Sequence, residues 1–140
     1  EYINRINNLT PETQRKWGKM SVNQVLAHLN VAYDLTFMPE KFPKPSFIAK
    51  FLLSRFVKPK ITNEIPYKQS LPTSPAFIIA DERNFEEEKA KLIGNIQRVQ
   101  QLGREAFEGK ENINFGKMTA QCWNNMFAKH LNHHLEQFGV

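Results

Sequence analysis

Three of the four histidines of this chain fall in one short stretch near its end, His130, His133 and His134. His130 and His134 are four positions apart, and on a helix such residues stack one turn above the other on the same side. That is the spacing two imidazoles need to share one metal ion. The fourth, His28, lies far upstream in a segment that also reads as helix. Two helices of one bundle can therefore supply a three-histidine site with a coordination position left for water or substrate. Other chemistry is poorly represented. The chain has no His-Glu-x-x-His, no paired cysteines and no glycine-rich phosphate loop. Cys122, the single cysteine, lies well off the His130 direction and reads as a small core or edge residue rather than a nucleophile.

Four helical segments must position these groups. Ile3, Ile6 and Leu9 recur at three-residue steps in a helix that Pro11 ends. Ser21 is a good N-cap for a helix running to about Phe37, with Val22, Val25, Leu26, Leu29, Tyr33 and Phe37 as its apolar stripe. A third helix is expected from roughly Asp81 to Phe107, with Phe85, Leu92, Ile96, Val99 and Leu102 at helical steps and acidic residues crowding its start. The fourth begins at the Thr119 cap and ends near Gly139. Two of these starts resemble each other, Trp17-Gly18-Lys19-Met20-Ser21 and Phe115-Gly116-Lys117-Met118-Thr119, and read as two equivalent corners. At about 100° per residue, Trp123, Phe127, His134 and Phe138 fall on the same side of the fourth helix as His130. His130 and His134 are thus expected to face the core, with His133 at the edge of the stripe. Two buried imidazoles are costly unless their nitrogens are satisfied. A shared ion and a hydrogen-bonded core pair both answer that demand. His28 sits on the flank of its own stripe, so its inward reach is left open.

Composition bounds the rest. At 140 residues the chain is about one domain, 1–140, and 41% apolar residues with eleven phenylalanines exclude a disordered protein. A single cysteine excludes an intrachain disulfide and suits a reducing, cytoplasmic setting. No apolar run approaches the ~18 residues of a membrane span, and no signal peptide is visible. The net charge of +5 does not argue for nucleic acid by itself.

The stretch 41–69 stands apart. Prolines at 43, 45, 59 and 66 interrupt it, and Ser46 to Val57 reads as a short amphipathic helix with Phe47, Ile48, Phe51, Leu52 and Phe56. Lys41, Lys44, Lys50, Arg55, Lys58 and Lys60 accompany them, with no acid between Lys41 and Lys60. The favoured expectation is an insert whose aromatic side caps the bundle while its lysines face solvent. A lid or a dimer contact is the alternative. Binding to an anionic membrane surface needs more apolar face than this stretch offers, so no stable membrane association is expected, and the aromatics look like core rather than stacking platforms for nucleic acid.

The order Trp17-Gly18-Lys19-Met20-Ser21-Val22, Val25-Leu26-Ala27-His28, then Trp123, Phe127, His130, His133-His134-Leu135 and Gln137-Phe138-Gly139-Val140, resembles the DinB-like superfamily, most closely its members of unknown function. The resemblance covers nearly the whole chain. It implies an all-α fold, an antiparallel four-helix bundle, often dimeric, with a three-histidine metal site. Carried over by residue, it assigns the ligands to His28, His130 and His134 and leaves His133 without a derived role. Some relatives are thiol-dependent transferases using a low-molecular-weight thiol such as bacillithiol or mycothiol; others are isomerases or hydrolases.

The leading expectation is therefore a metal-dependent enzyme acting on a small-molecule substrate. Zn²⁺ or Ni²⁺ is the natural ion for nitrogen ligands, with a thiol or water activated at the open position. The alternative is a non-catalytic bundle that binds a small ligand, or one with a vestigial metal site. A homodimer is expected from the resemblance.

Overall fold

Ser21 and Thr119 each hold the extended backbone an N-cap requires, and each side chain accepts a hydrogen bond from the third residue of its helix. At Ser21 the bond is reciprocal, because Gln24 Oε1 accepts from the Ser21 amide and completes a capping box. These caps open the two helices that carry all four histidines, α2 (Val22–Phe37) and α6 (Ala120–Gln137). The turns before them match as well: Gly18 and Gly116 both take a left-handed φ, 81° and 68°. The computed structural model from which these features are read describes residues 1–140, and it is mostly helical.

A short α1 (Tyr2–Asn7) precedes them, and α5 (Phe85–Leu102) lies between them in sequence. The core is the meeting of their apolar stripes: Ile6 and Leu9, then Val22, Val25, Leu26, Leu29 and Tyr33, then Phe85 and Leu92, and finally Trp123, Phe127, Leu131 and Leu135. One polar network stitches α2 to α5. The buried Asn30 amide donates to the Glu88 carbonyl and carboxylate at 3.0 and 2.8 Å, and its oxygen accepts from Asn95 at 3.0 Å. A satisfied buried amide of this kind fixes the relative register of two helices that apolar contact alone would let slide.

The third helix is shorter at both ends than the sequence suggests. Asn84 caps it, so Asp81 and Glu82 precede it, while Glu86, Glu87 and Glu88 form its acidic first turn. Gly103, with φ of 72°, stops it, and a separate 3₁₀ turn, Arg104–Phe107, follows. A two-residue antiparallel hairpin, β1 (Glu111–Asn112) with β2 (Gly116–Lys117), then leads into α6.

The basic, aromatic stretch departs most from expectation. It is more helical than its prolines imply: α3 (Phe47–Leu52) runs through a π turn (Leu53–Val57) into α4 (Lys58–Thr62). Pro59 is tolerated because it sits in the first turn of α4, where its missing amide is not needed. Its orientation is the reverse of the expected one. Phe47, Ile48, Phe51, Leu52 and Phe56 are exposed, whereas Lys50 and Lys58 turn inward. Lys50 Nζ pairs with Glu111 at 2.6 Å, and Lys58 Nζ donates to the Lys117 carbonyl at 2.7 Å. A lysine amine that caps free carbonyls of a hairpin turn decides the rotation of the helix that carries it.

Candidate metal centre

α2 and α6 approach each other with His28 on one and His130 and His134 on the other. One ring nitrogen from each of the three lies within 4.8 Å of the others. His28 and His134 are buried, and His130 is half-buried with its ring against both. The His28 Nε2 to His130 Nε2 distance is 2.9 Å. The flank position of His28 on its own helix is thus the one that faces α6, and the three sequence-derived candidates converge on one point.

Two of the three rings are held from behind. His28 Nδ1 lies 2.8 Å from the Phe77 carbonyl, which can only accept, so this nitrogen carries the proton and Nε2 is left with its lone pair. His134 Nδ1 lies 2.8 Å from Gln137 Oε1, and the same reasoning applies. Gln137 is itself fixed, because its Nε2 donates to the Trp17 carbonyl at 2.8 Å. The turn before α2 therefore orients a histidine on α6 through one glutamine. Such outer contacts set the tautomer and direction of ligand imidazoles.

Phe77, Gln137 and Trp17 were not singled out as site residues from sequence. Gln137 had a readable signal, since it follows His134 by three on the same helix face. Phe77 had none: it acts through its carbonyl, while its ring packs edge-on against His28 and His130 with centroids at 5.3 and 5.7 Å. Trp123 and Phe127 are buried as their stripe requires, but their ring partners are Phe107 and Tyr33. The aromatic ring packed against His28 and His130 is that of Phe77. His133 lies at the edge, half-buried, with Trp17, Tyr67 and His134 around it. It borders a small polar cavity of about 230 Å³ that also includes Asn63, Tyr67 and Lys129. The larger cleft, about 640 Å³ and mostly apolar, is elsewhere, between α1, α5 and α6.

Burial governs the electrostatics. It is the main cause lowering the pKa of His28, His130 and His134, and mutual repulsion among the rings adds to it. His134 is pushed down to about 3, and His130 well below its ordinary value. All three are neutral at pH 7, as nitrogen ligands must be. Three neutral imidazoles brought together fit a divalent ion: nitrogens about 2.0–2.1 Å from zinc in tetrahedral array stand about 3.3 Å apart, and here they stand 2.9 Å apart at His28–His130 and nowhere more than 4.8 Å apart.

A pH dependence follows. Histidines whose folded pKa is depressed bind protons more readily when unfolded, so the unfolded state gains protons first as pH falls. Metal-free protein is expected to hold full stability above about pH 6.5 and to lose it progressively towards pH 3, where His134 titrates. Denaturant titrations across that range read the effect; a midpoint that stays constant down to pH 4 would contradict it.

No helix is long and apolar enough to cross a membrane. Comparison with curated proteins and with solved structures returns no match. A family model does match, over residues 1–139, and the chain belongs to that family, described as a protein of unknown function, DUF1569.

Proposed function

We propose that this chain is a divalent-metal-binding protein of the DinB-like superfamily, a four-helix bundle of α1, α2, α5 and α6 with His28, His130 and His134 as ligands. The observation that carries the reading is the convergence of three imidazole nitrogens within 4.8 Å, two of them with the opposite nitrogen tied to an acceptor. The reaction class that fits is thiol transfer or hydrolysis. A bound divalent ion supplies Lewis acidity there, lowering the pKa of a thiol or water in the open position.

The chain's own residues do the rest. Phe77 and Gln137 hold the His28 and His134 imidazoles in one tautomer, and the Phe77 ring excludes water from one side. Tyr67, whose pKa is pushed up to about 12 by burial, stays protonated and lines the polar cavity beside His133. Purified without a histidine tag, the protein is expected to carry about one zinc or nickel per chain and to turn over an electrophile with a low-molecular-weight thiol, or an ester with water. Metal without turnover would favour the second reading, a non-catalytic ligand-binding bundle, for which the apolar cleft of about 640 Å³ away from the histidines speaks.

The Gln137 relay gives a test that touches no ligand. Gly18 has a left-handed φ, and a Cβ there would run into the Gln137 side-chain amide. Gly18→Ala is expected to displace Gln137, release His134 and weaken metal binding about 10–100-fold. Unchanged affinity in a folded Gly18→Ala protein would remove Gln137 from the account.

A further inference from the structure

The helical segment from Phe47 to Thr62 presents its apolar side to solvent and is locked in that orientation. Phe47 is 87% exposed, Ile48 70%, Phe51 61%, Phe56 57% and Leu52 47%. The opposite side is anchored to the body of the protein. Lys50 pairs with Glu111, Lys58 donates to the Lys117 carbonyl, Lys129 Nζ donates to the Lys60 carbonyl at 2.6 Å, and Asn125 donates to the Thr62 carbonyl at 2.9 Å. The wider π turn lies between Phe51 and the end of the row, and Phe56, five positions on, is exposed like Phe51, so the apolar row continues past the junction. Large aromatics held outward at this density mark a contact surface.

Charge selects the occupant. Around this row, Lys41, Lys44, Arg55 and Lys60 are exposed, and none of them has a carboxylate partner. No acidic residue lies between Lys41 and Lys60. A second copy of the chain docked on the same face would bring two such basic rims together, a repulsive arrangement. An anionic bilayer surface meets both demands at once: acidic headgroups for the rim, and the shallow acyl boundary for Phe47, Ile48, Phe51, Leu52 and Phe56. The sequence-based expectation of no stable membrane association rests on the small size of this apolar face; reversible docking assisted by the basic rim asks less of it. We infer that the Phe47–Thr62 segment is an interfacial helix that docks the protein reversibly on anionic lipid surfaces.

Vesicle sedimentation with the full chain tests this, using phosphatidylcholine vesicles with and without phosphatidylglycerol. The protein is expected to partition onto the phosphatidylglycerol vesicles, to leave them as salt rises, and to ignore pure phosphatidylcholine. Phe51→Ala should weaken partition about tenfold through the lost apolar burial. The double substitution Phe47→Asp, Phe51→Asp should abolish it while leaving circular dichroism and metal content at the histidines unchanged. Absence of partition, or partition that the double variant retains, would overturn the inference. Binding that Phe51→Ala leaves untouched would mean charge alone and would overturn the inserted face. A lipid-free dimer that dissociates on the double substitution would assign the face to a second copy instead.

Discussion

Replacing either His130 or His134 with alanine is expected to abolish stoichiometric metal binding. Both rings share one face of α6 one turn apart, and each loss leaves only two nitrogens, fewer than a stable three-ligand site provides. His28→Ala should weaken binding strongly as well, and it removes the one ligand that ties α2 to the centre. Only the two α6 imidazoles, His130 and His134, then remain. His133→Ala is the control. Its ring stands at the rim, against Trp17 and Tyr67, so metal content should persist while properties of the adjoining polar cavity change. Elemental analysis of the four variants, purified without a histidine tag, reads the outcome. If His133→Ala removed the metal and His134→Ala did not, the pair would be His130 with His133 and the Gln137 relay would have no purpose.

The second large effect is on stability. Trp123 is 1% exposed and packs against Phe107 and Phe127, with its indole nitrogen donating to the Lys110 carbonyl at 3.3 Å. Trp123→Ala removes the largest fully buried side chain and opens a void beside the apolar cleft, while the Lys110 carbonyl keeps only its bond from the Met118 amide. A loss of ~3–5 kcal/mol is expected for such a truncation. For a domain of this size that lowers the thermal midpoint by roughly 10–20 °C. Because Trp123 sits in the aromatic group with Tyr33 and Phe107 rather than against the histidines, metal affinity should change far less than stability. A variant that melts normally would mean that α6 buries a different face.

What could be read from the sequence was local or periodic. Ser21 and Thr119 announce their helices because a cap works within three residues. The His130–His134 spacing is legible because a helix turn is. The convergence of His28 was not fixed by its own helix, where it lies off the apolar stripe; only the direction of the α2–α6 approach settles that, and the resemblance supplied it. The rotation of the Phe47–Thr62 segment was misread because its determinants are distant: Glu111, the Phe115 and Lys117 carbonyls, and Asn125 and Lys129 on α6. Nothing in the local pattern says that a lysine will be spent on a hairpin sixty residues away. The start of α5 was placed too early because Asp81 and Glu82 satisfy the same dipole preference as a true first turn, while the real boundary is set by the Asn84 cap. Phe77 was invisible because a backbone carbonyl has no sequence signature.

The central claim is that His28, His130 and His134 hold one ion between α2 and α6. Anomalous scattering from a crystal of untagged protein, collected on both sides of the zinc and nickel absorption edges, tests it most directly. The account predicts one peak per chain within coordinating distance of a nitrogen of each of these three histidines, with the His28–Phe77 and His134–Gln137 hydrogen bonds intact. A crystal grown with metal supplied that shows no peak there, or a peak held by His133 in place of His134, would contradict it.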